Sequence, residues 1–312
     1  MQSCILDRIM ELKQLDAFVH VAELGSFSRA ATSMGMAQPL LSRQVRQLEV
    51  GLRQTLLRRN GRGVTLTDAG KVLLEHARGI LHQVDLAKQE LATTRHALSG
   101  RVSIGLPPSL SRLITVPLTK RFRQALPQAQ LTLTEGFSLP MIESLRAGQL
   151  DMAVLYNPSP APDLELTALR QDALALISRA DSSAPSKARL SVHDLSQLPL
   201  ILPSRPNAFR LLIESEMARL NLRPHIVLEI DGLNAILELV REGLGHAVLP
   251  TYTLATTAQA DQLSSRRIER PRLLSTLMLA GSAKRPATPT HDAARSILQG
   301  VLQDVLTDTR LG

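Results

Sequence analysis

Met36-Ala37-Gln38-Pro39-Leu40-Leu41-Ser42-Arg43-Gln44-Val45-Arg46-Gln47-Leu48-Glu49 reads as a helix with two kinds of face. Pro39 suits a first turn, where its missing N–H leaves no bond unmade. Leu41, Val45 and Leu48 recur at helical spacing and face inward. Gln38, Ser42, Arg43, Gln44 and Arg46 are left on the outer faces.

Upstream, Leu12, Leu15, Phe18, Val19 and Ala22 mark one buried face of an earlier helix that Gly25 stops. Ser26 is an N-cap for the next helix, whose Ala30, Ala31 and Met34 permit a close crossing. Gly35 ends that helix in a left-handed cap. Two helices joined by a short Gly-bearing turn, the second rich in Gln, Ser and Arg near its start, describe a helix-turn-helix. Gln and Arg suit the edges of bases in the major groove, because each can make two hydrogen bonds to adenine or guanine.

Downstream, Arg58-Arg59-Asn60-Gly61-Arg62-Gly63-Val64-Thr65-Leu66 predicts a β-hairpin wing, with Asn60-Gly61 in its tight turn and Arg62 at its tip. From Arg43 to Arg62 six arginines (43, 46, 53, 58, 59 and 62) stand against one acid, Glu49. That density exceeds an ordinary solvated face and matches a phosphate backbone.

Residues 12 to 70 resemble the LysR-type regulators. The first domain of that family carries Leu-x-x-Phe, Gly-Ser-Phe-x-x-Ala-Ala, Gln-Pro-x-x-Ser, Leu-Glu and a wing ending Leu-Thr-x-Ala-Gly. The chain supplies Leu15 with Phe18, Gly25-Ser26-Phe27 with Ala30-Ala31, Gln38-Pro39 with Ser42, Leu48-Glu49, and Leu66-Thr67-Asp68-Ala69-Gly70. It departs at Ala37 (usually Ser or Thr), Arg53 (usually Gly) and Leu57 (usually Phe). Ala37 weakens a helix cap, and Arg53 stiffens a turn or adds a phosphate contact. Charge pattern and resemblance together give the expected DNA-contacting set: Ser26, Arg29, Gln38, Pro39, Ser42, Arg43, Gln44, Arg46, Arg53, Arg59 and Arg62. The resemblance also places Met10 where such proteins usually begin, with residues 1–9 as an upstream extension. The winged helix-turn-helix would then span 10–68.

Thr67 can cap a following helix over 69–98, in which Leu73, Leu74, Ala77, Ile80, Leu81, Val84, Ala87 and Leu91 form an apolar stripe. Such a stripe packs either on its own domain or on a partner. The resemblance implies the partner: a homodimer through this linker helix, assembling further to a homotetramer, so that two heads face a dyad-symmetric site on double-stranded DNA. Gly100 is a hinge candidate.

After Gly100, strands at 102–106, 130–135 and 151–155 alternate with helices at 110–126 and 140–147, the pattern of a parallel sheet covered by helices. Further strands are expected at 164–169, 173–178, 200–202, 226–230 and 246–249, with helices at 209–220 and 233–242. The chain returns near 273–280, and a final helix covers 291–306. Segments 181–187 and 281–290 read as loops. Ligands of such sheets bind at the carboxyl ends of strands, where helix N-termini present free N–H groups. Ser109, Ser111, Phe137 and Ser138 fall there; for a lone Ser a plain N-cap is the commoner role, and a cap and a ligand contact can coexist. Arg205, in Pro203-Ser204-Arg205-Pro206-Asn207, is either a carboxylate clamp or a surface arginine.

Asp151-Met152-Ala153-Val154 and Gly243-Leu244-Gly245-His246-Ala247-Val248-Leu249-Pro250 resemble motifs of the same family's effector domain, which is similar in fold to periplasmic binding proteins. The resemblance implies an effector domain over 101–312, made of one α/β subdomain (101–170 and 273–312) and a second (171–272) with a cleft between them. The implied effector contacts are Ser109, Phe137, Ser138, Ser204 and Arg205, and the implied effector is a small organic anion.

Composition bounds these readings. The chain has 312 residues, a formal net charge of +8, 44% hydrophobic and only 2% aromatic residues, so aliphatic side chains fill its core. With Cys4 as its one cysteine it can form no internal disulfide or cysteine-based metal site. No secretory leader and no run of 18 apolar residues stands out, which points to the cytoplasm rather than a membrane. No Gly-x-Ser-x-Gly, phosphate loop or His-Glu-x-x-His occurs, so neither an enzyme nor a metal or cofactor site is expected. A transporter's solute-binding protein would share the second fold but not the basic N-terminal domain, and another winged-helix regulator remains a further alternative.

Overall fold

The computed structural model describes residues 10–61, 63–92, 98–180, 189–257, 260–284 and 287–307. The chain divides into two compact units, a smaller N-terminal one and a larger C-terminal one.

The N-terminal unit comprises α1 (Leu12–Leu24), α2 (Phe27–Ser33), α3 (Gln38–Leu52), the hairpin strands β1 (Leu57–Asn60) and β2 (Gly63–Leu66), and α4 (Asp68–Ala92). Gly25 closes α1 at φ 60°, a left-handed conformation that costs a side chain. The Ser26 hydroxyl then accepts the Arg29 N–H at the head of α2. Leu15, Phe18, Val21, Ala30, Leu41, Val45 and Leu48 share one buried cluster, so the inward face of α3 is the one its spacing predicts. Leu12 departs from expectation: in the opening turn of α1 it is 46% exposed, and Ala17 and Val21 are buried instead. Gln44 is half-buried rather than outward, with Oε1 enclosed and unpartnered among the described residues.

The hairpin turn sits one residue later than Asn60-Gly61 suggests. Asn60 pairs with Gly63 and still belongs to β1, so the turn begins only at Gly61. Arg62 itself lies outside the described residues. Gly63 explains the shift. At φ 133° it lets the Gly25 carbonyl come within 2.7 Å of where a Cβ would stand, and Val64 N–H donates to that carbonyl at 3.0 Å. The opening of the wing is thereby tied to the end of α1.

Thr67 Oγ1 accepts the Gly70 N–H at 3.0 Å and caps α4. Leu74 and Ala77 of the stripe are buried in the N-terminal core, Leu73, Ile80, Leu81 and Val84 are half-buried, and Ala87 is exposed. The side chain of Leu91 and all of 93–97 lie outside the described residues, as does 1–9.

The C-terminal unit is built from β3 (Ser99–Leu106), α5 (Pro108–Ala125), β4 (Gln128–Glu135), α6 (Ser138–Ala147), β5 (Met152–Tyr156), β6 (Leu164–Arg179), β7 (Arg189–Ser191), α7 (Val192–Ser196), β8 (Leu200–Leu202), α8 (Ala208–Arg219), β9 (Ile226–Glu229), α9 (Leu233–Arg241), β10 (Ala247–Pro250), β11 (Leu263–Arg270), β12 (Leu274–Ser282) and α10 (Pro289–Thr307). Strands β3, β4 and β5 run parallel, as their alternation with helices predicts. The sheet as a whole is mixed, because β12 lies antiparallel between β5 and β6. Its order is β4-β3-β5-β12-β6-β11-β7, with β10 also on β6, while β8 and β9 pair separately.

Three expectations change. The two strands expected over 164–178 are one 16-residue strand. Its polar Arg170-Gln171-Asp172 middle imitates a break, yet Leu164 to Ala173 pair with β12, and Leu174 to Arg179 with β10 and β11. Gly100 lies inside β3 at φ 105°, opposite Ala129, rather than in a hinge before it. Of the expected loop 281–290, Gly281 and Ser282 belong to β12, and Pro289 and Thr290 to α10; the segment 181–188 lies outside the described residues. β7, α7 and β11 were not anticipated. In β11 only Leu263 and Ile268 are buried, so the strand is held by pairing on both edges rather than by an apolar run.

Candidate DNA interface and ligand cavity

On α3, Gln38, Pro39, Arg43 and Arg46 are exposed. Ser28 Oγ donates to Gln38 Oε1 at 2.9 Å, which fixes the carboxamide and leaves its NH2 outward. Ser42 is half-buried and accepts from an Arg59 guanidinium nitrogen at 3.1 Å. That guanidinium also lies 4.5 Å over the Phe27 ring, so Arg59 is braced between the wing and two helices. Arg29 donates to the Leu24 carbonyl at 2.5 Å, and Ser26 serves as the cap described above. Arg53 is exposed and ends α3 in a left-handed conformation.

The one acid among these arginines does not offset them at the surface. Glu49 turns its carboxylate to the backbone, accepting Leu56 N–H at 2.8 Å and Leu57 N–H at 3.1 Å. Among its charged side chains the outer face of α3 therefore presents cations, beside the Gln38 amide. Leu40, 47% exposed beside them, was missed by the sequence reading. It immediately precedes the inward Leu41, and an exposed aliphatic there suits a thymine methyl.

In the C-terminal unit the N-termini of α5, α6, α8 and α9 surround a cavity of about 500 Å³ when the open solvent at its mouth is counted. Three of the expected effector residues, Ser109, Phe137 and Ser138, line it; Ser204 and Arg205 are not among the lining residues. Ser204 donates its N–H to Asp231 at 3.0 Å. Arg205 pairs with Glu214 at 3.0 Å through Nε and 2.9 Å through a terminal nitrogen. The buried Arg210 reaches the same carboxylate at 2.5 Å, Glu229 at 2.9 Å and the Pro203 carbonyl at 3.0 Å. Burial disfavours the Glu214 charge, but hydrogen bonds and charge from Arg205 and Arg210 outweigh it and hold its pKa below the usual carboxylate value.

Tyr156, Asn207 and Phe209 also form the walls, and sequence reading missed all three. Tyr156 closes β5 at its carboxyl end and Asn207 caps α8, both signals of the kind used for Ser109 and Ser138. Ser109 Oγ lies 3.0 Å from the Tyr156 hydroxyl, which in turn meets the hydroxyl of Tyr252. Burial raises the Tyr252 phenol above its ordinary pKa, so it remains protonated. Ser138 Oγ accepts the Tyr156 N–H at 3.0 Å and donates to its carbonyl at 3.3 Å, locking α6 to β5.

Comparison with known proteins agrees with this division. Residues 12–71 match the model of the bacterial regulatory helix-turn-helix protein of the lysR family, and residues 95–303 match the LysR substrate binding domain. The nitrogen assimilation regulatory protein nac of Escherichia coli (strain K12) is 34% identical over 302 residues, covering 96% of this chain and 98% of that protein. The HTH-type transcriptional regulator BbuR of Bordetella bronchiseptica is 32% identical over 265 residues, covering 85% and 82%. Among solved structures, the LysR family transcriptional regulator CbnR superposes with a TM-score of 0.71 at 23% identity, over 95% of this chain and 99% of that one. CbnR complexed with its target DNA gives 0.68 at 24% identity, over 97% and 100%. An exposed cationic helix on a helix-turn-helix and a cavity ringed by helix N-termini thus sit in the two domains of one known architecture, and the chain belongs to the LysR family of DNA-binding transcription regulators with an effector-binding substrate domain.

Proposed function

We propose that this regulator docks α3 in the major groove of double-stranded DNA, with Gln38, Leu40, Arg43 and Arg46 toward the bases and phosphates. Arg59 and the β1–β2 wing flank the helix. The observation that carries the reading is the outer face of α3, where arginines are exposed while Glu49 is directed to the backbone. Ser26, Arg29 and Ser42 act by holding this surface in shape. The C-terminal cavity takes a small-molecule effector that favours one arrangement of the unit over another and so biases DNA binding. Self-association through α4 is supported by the part of its stripe, Ile80, Leu81, Val84 and Ala87, that its own unit leaves half-buried or exposed. Among the described residues no helix is long and apolar enough to cross a membrane. Relatives such as nac and BbuR are regulators, which supports a regulatory rather than a catalytic role.

A salt series of gel-shift affinities on the protein's own upstream DNA tests the docking. Arg43→Gln and Arg46→Gln should each flatten the plot of log affinity against log salt by about 1 per chain. A slope unchanged in both variants rules out this surface.

A further inference from the structure

The cavity of the C-terminal unit offers carbon walls and spent hydroxyls. Pro107, Phe137, Phe209, Ile236 and Leu249 are among its lining residues. The hydroxyls that reach it are already engaged, and of the Asn207 carboxamide the oxygen is engaged while the NH2 is left to donate. Ser109 is bonded to Tyr156 and Ser138 to the Tyr156 backbone. Asn207 Oδ1 accepts the Phe209 and Arg210 N–H groups at 2.9 and 3.3 Å. Among the described residues no charged side chain lines the space. The segment 203–210 that forms one wall carries two cations, Arg205 and Arg210, and both are turned onto Glu214. Arg210 is only 4% exposed and is further held by Glu229 and the Pro203 carbonyl, so it has no freedom to meet a ligand.

We infer that the effector is an uncharged molecule, an aromatic ring or short branched aliphatic body with one hydrogen-bond-accepting head, and that Glu214 sets this preference by neutralising Arg205 and Arg210. The inference rests on the cavity being the effector site. The available donors are neutral: the Asn207 NH2, and backbone N–H groups where α5 and α9 begin at Pro107 and Gly232 without a side-chain cap. These can serve a carbonyl as well as a carboxylate. The partial charge of each helix end favours an anion by about fivefold, so the two uncapped ends together favour it by about 25-fold. Burying a carboxylate without a counter-ion disfavours it by several powers of ten, on the order set by its lost hydration. The second effect is larger, so the neutral head is selected. This differs from the small organic anion that the sequence alone suggests.

The test uses matched pairs that share a body and differ in the head: phenylacetamide with phenylacetate, and isovaleramide with isovalerate. Ligand-observed NMR on the full chain at pH 7 and constant ionic strength gives each dissociation constant. The amide should bind at least tenfold more tightly than its acid in one pair or both. In Glu214→Gln the acid-to-amide affinity ratio should rise about tenfold, with the thermal melt showing that the variant is folded. Should that variant not fold, Arg205→Ala serves instead, and its ratio should stay at the wild-type value. An acid that binds as tightly as its amide in the wild type, or no saturable binding by either amide, overturns the inference; an unchanged ratio in folded Glu214→Gln overturns the role of Glu214. Ala208→Trp, which fills the cavity, should abolish amide binding, and persistence of binding would place the ligand elsewhere. The effector reading fails separately if the amide binds in the cavity but leaves DNA retardation unaltered.

Discussion

Arg53 stands at φ 51° and ψ 37°, where the chain leaves α3. It is a position that glycine adopts without strain and that costs an L side chain about 1–2 kcal/mol. The family pattern has glycine here, and the structure shows why: the conformation is retained and the side chain bears the strain. Glycine adds unfolded-state freedom that offsets part of the relief. Arg53→Gly should therefore raise stability by about 0.5–1 kcal/mol, read from urea denaturation at unchanged m-value. A loss of stability would mean that the Arg53 side chain makes a contact stronger than the strain it imposes. The same logic runs in reverse at Gly63, where the Gly25 carbonyl leaves no room for a Cβ.

At the scale of elements, the recognition helix and the wing form one body through Glu49. Its carboxylate accepts the amides of Leu56 and Leu57, the residues that lead into β1, and the Leu56 carbonyl accepts the Thr67 N–H at 2.9 Å ahead of α4. Glu49→Ala would leave two half-buried donors without an acceptor, a loss of roughly 1–3 kcal/mol. Amide hydrogen exchange should quicken at Leu56 and Leu57 before it does in α1, while Glu49→Gln, which retains one acceptor oxygen, should sit between. Exchange unchanged at those two amides would remove Glu49 from this role. What was legible in the sequence follows from the range of the forces involved. The inward face of α3, the caps at Ser26 and Thr67 and the left-handed glycines are decided within a few residues, so spacing alone exposes them. The continuity of β6, the antiparallel insertion of β12 and the existence of β11 depend on partners far along the chain, and no local pattern marks them. The cavity divides in the same way. Ser109, Phe137 and Ser138 were visible as helix starts after strands. The pairing of Arg205 with Glu214 was not, because the reading of Arg205 stopped at its own loop and the cancelling charge sits on α8.

At the scale of the whole C-terminal unit, the sheet changes partners along β6, and a buried carboxylate lies beside the change. Asp172 is 2% exposed and pairs in register with Ser275, itself fully buried. One Asp172 oxygen lies 2.5 Å from Arg170 Nε without the alignment of a hydrogen bond, while Arg170 also donates to the Leu306 carbonyl of α10 at 2.6 Å. Burial is the dominant influence and raises the carboxyl pKa above 3.8, against a smaller opposing pull from Arg170. A raised pKa means that the folded chain binds the proton more tightly than the unfolded one. Stability is then complete below the unfolded value and declines as pH rises through the folded one, the reverse of a salt-bridged carboxylate. Asp172→Asn keeps the neutral shape at every pH. Its stability relative to the wild type should climb as pH increases from about 4 and level off once the wild-type group has ionised. Urea denaturation from pH 4 to 7 measures the difference. If the ion pair with Arg170 governed instead, Asp172→Asn would be the weaker protein at pH 7. The sign of that one difference decides whether the mixed sheet is held together at this point by charge or in spite of it.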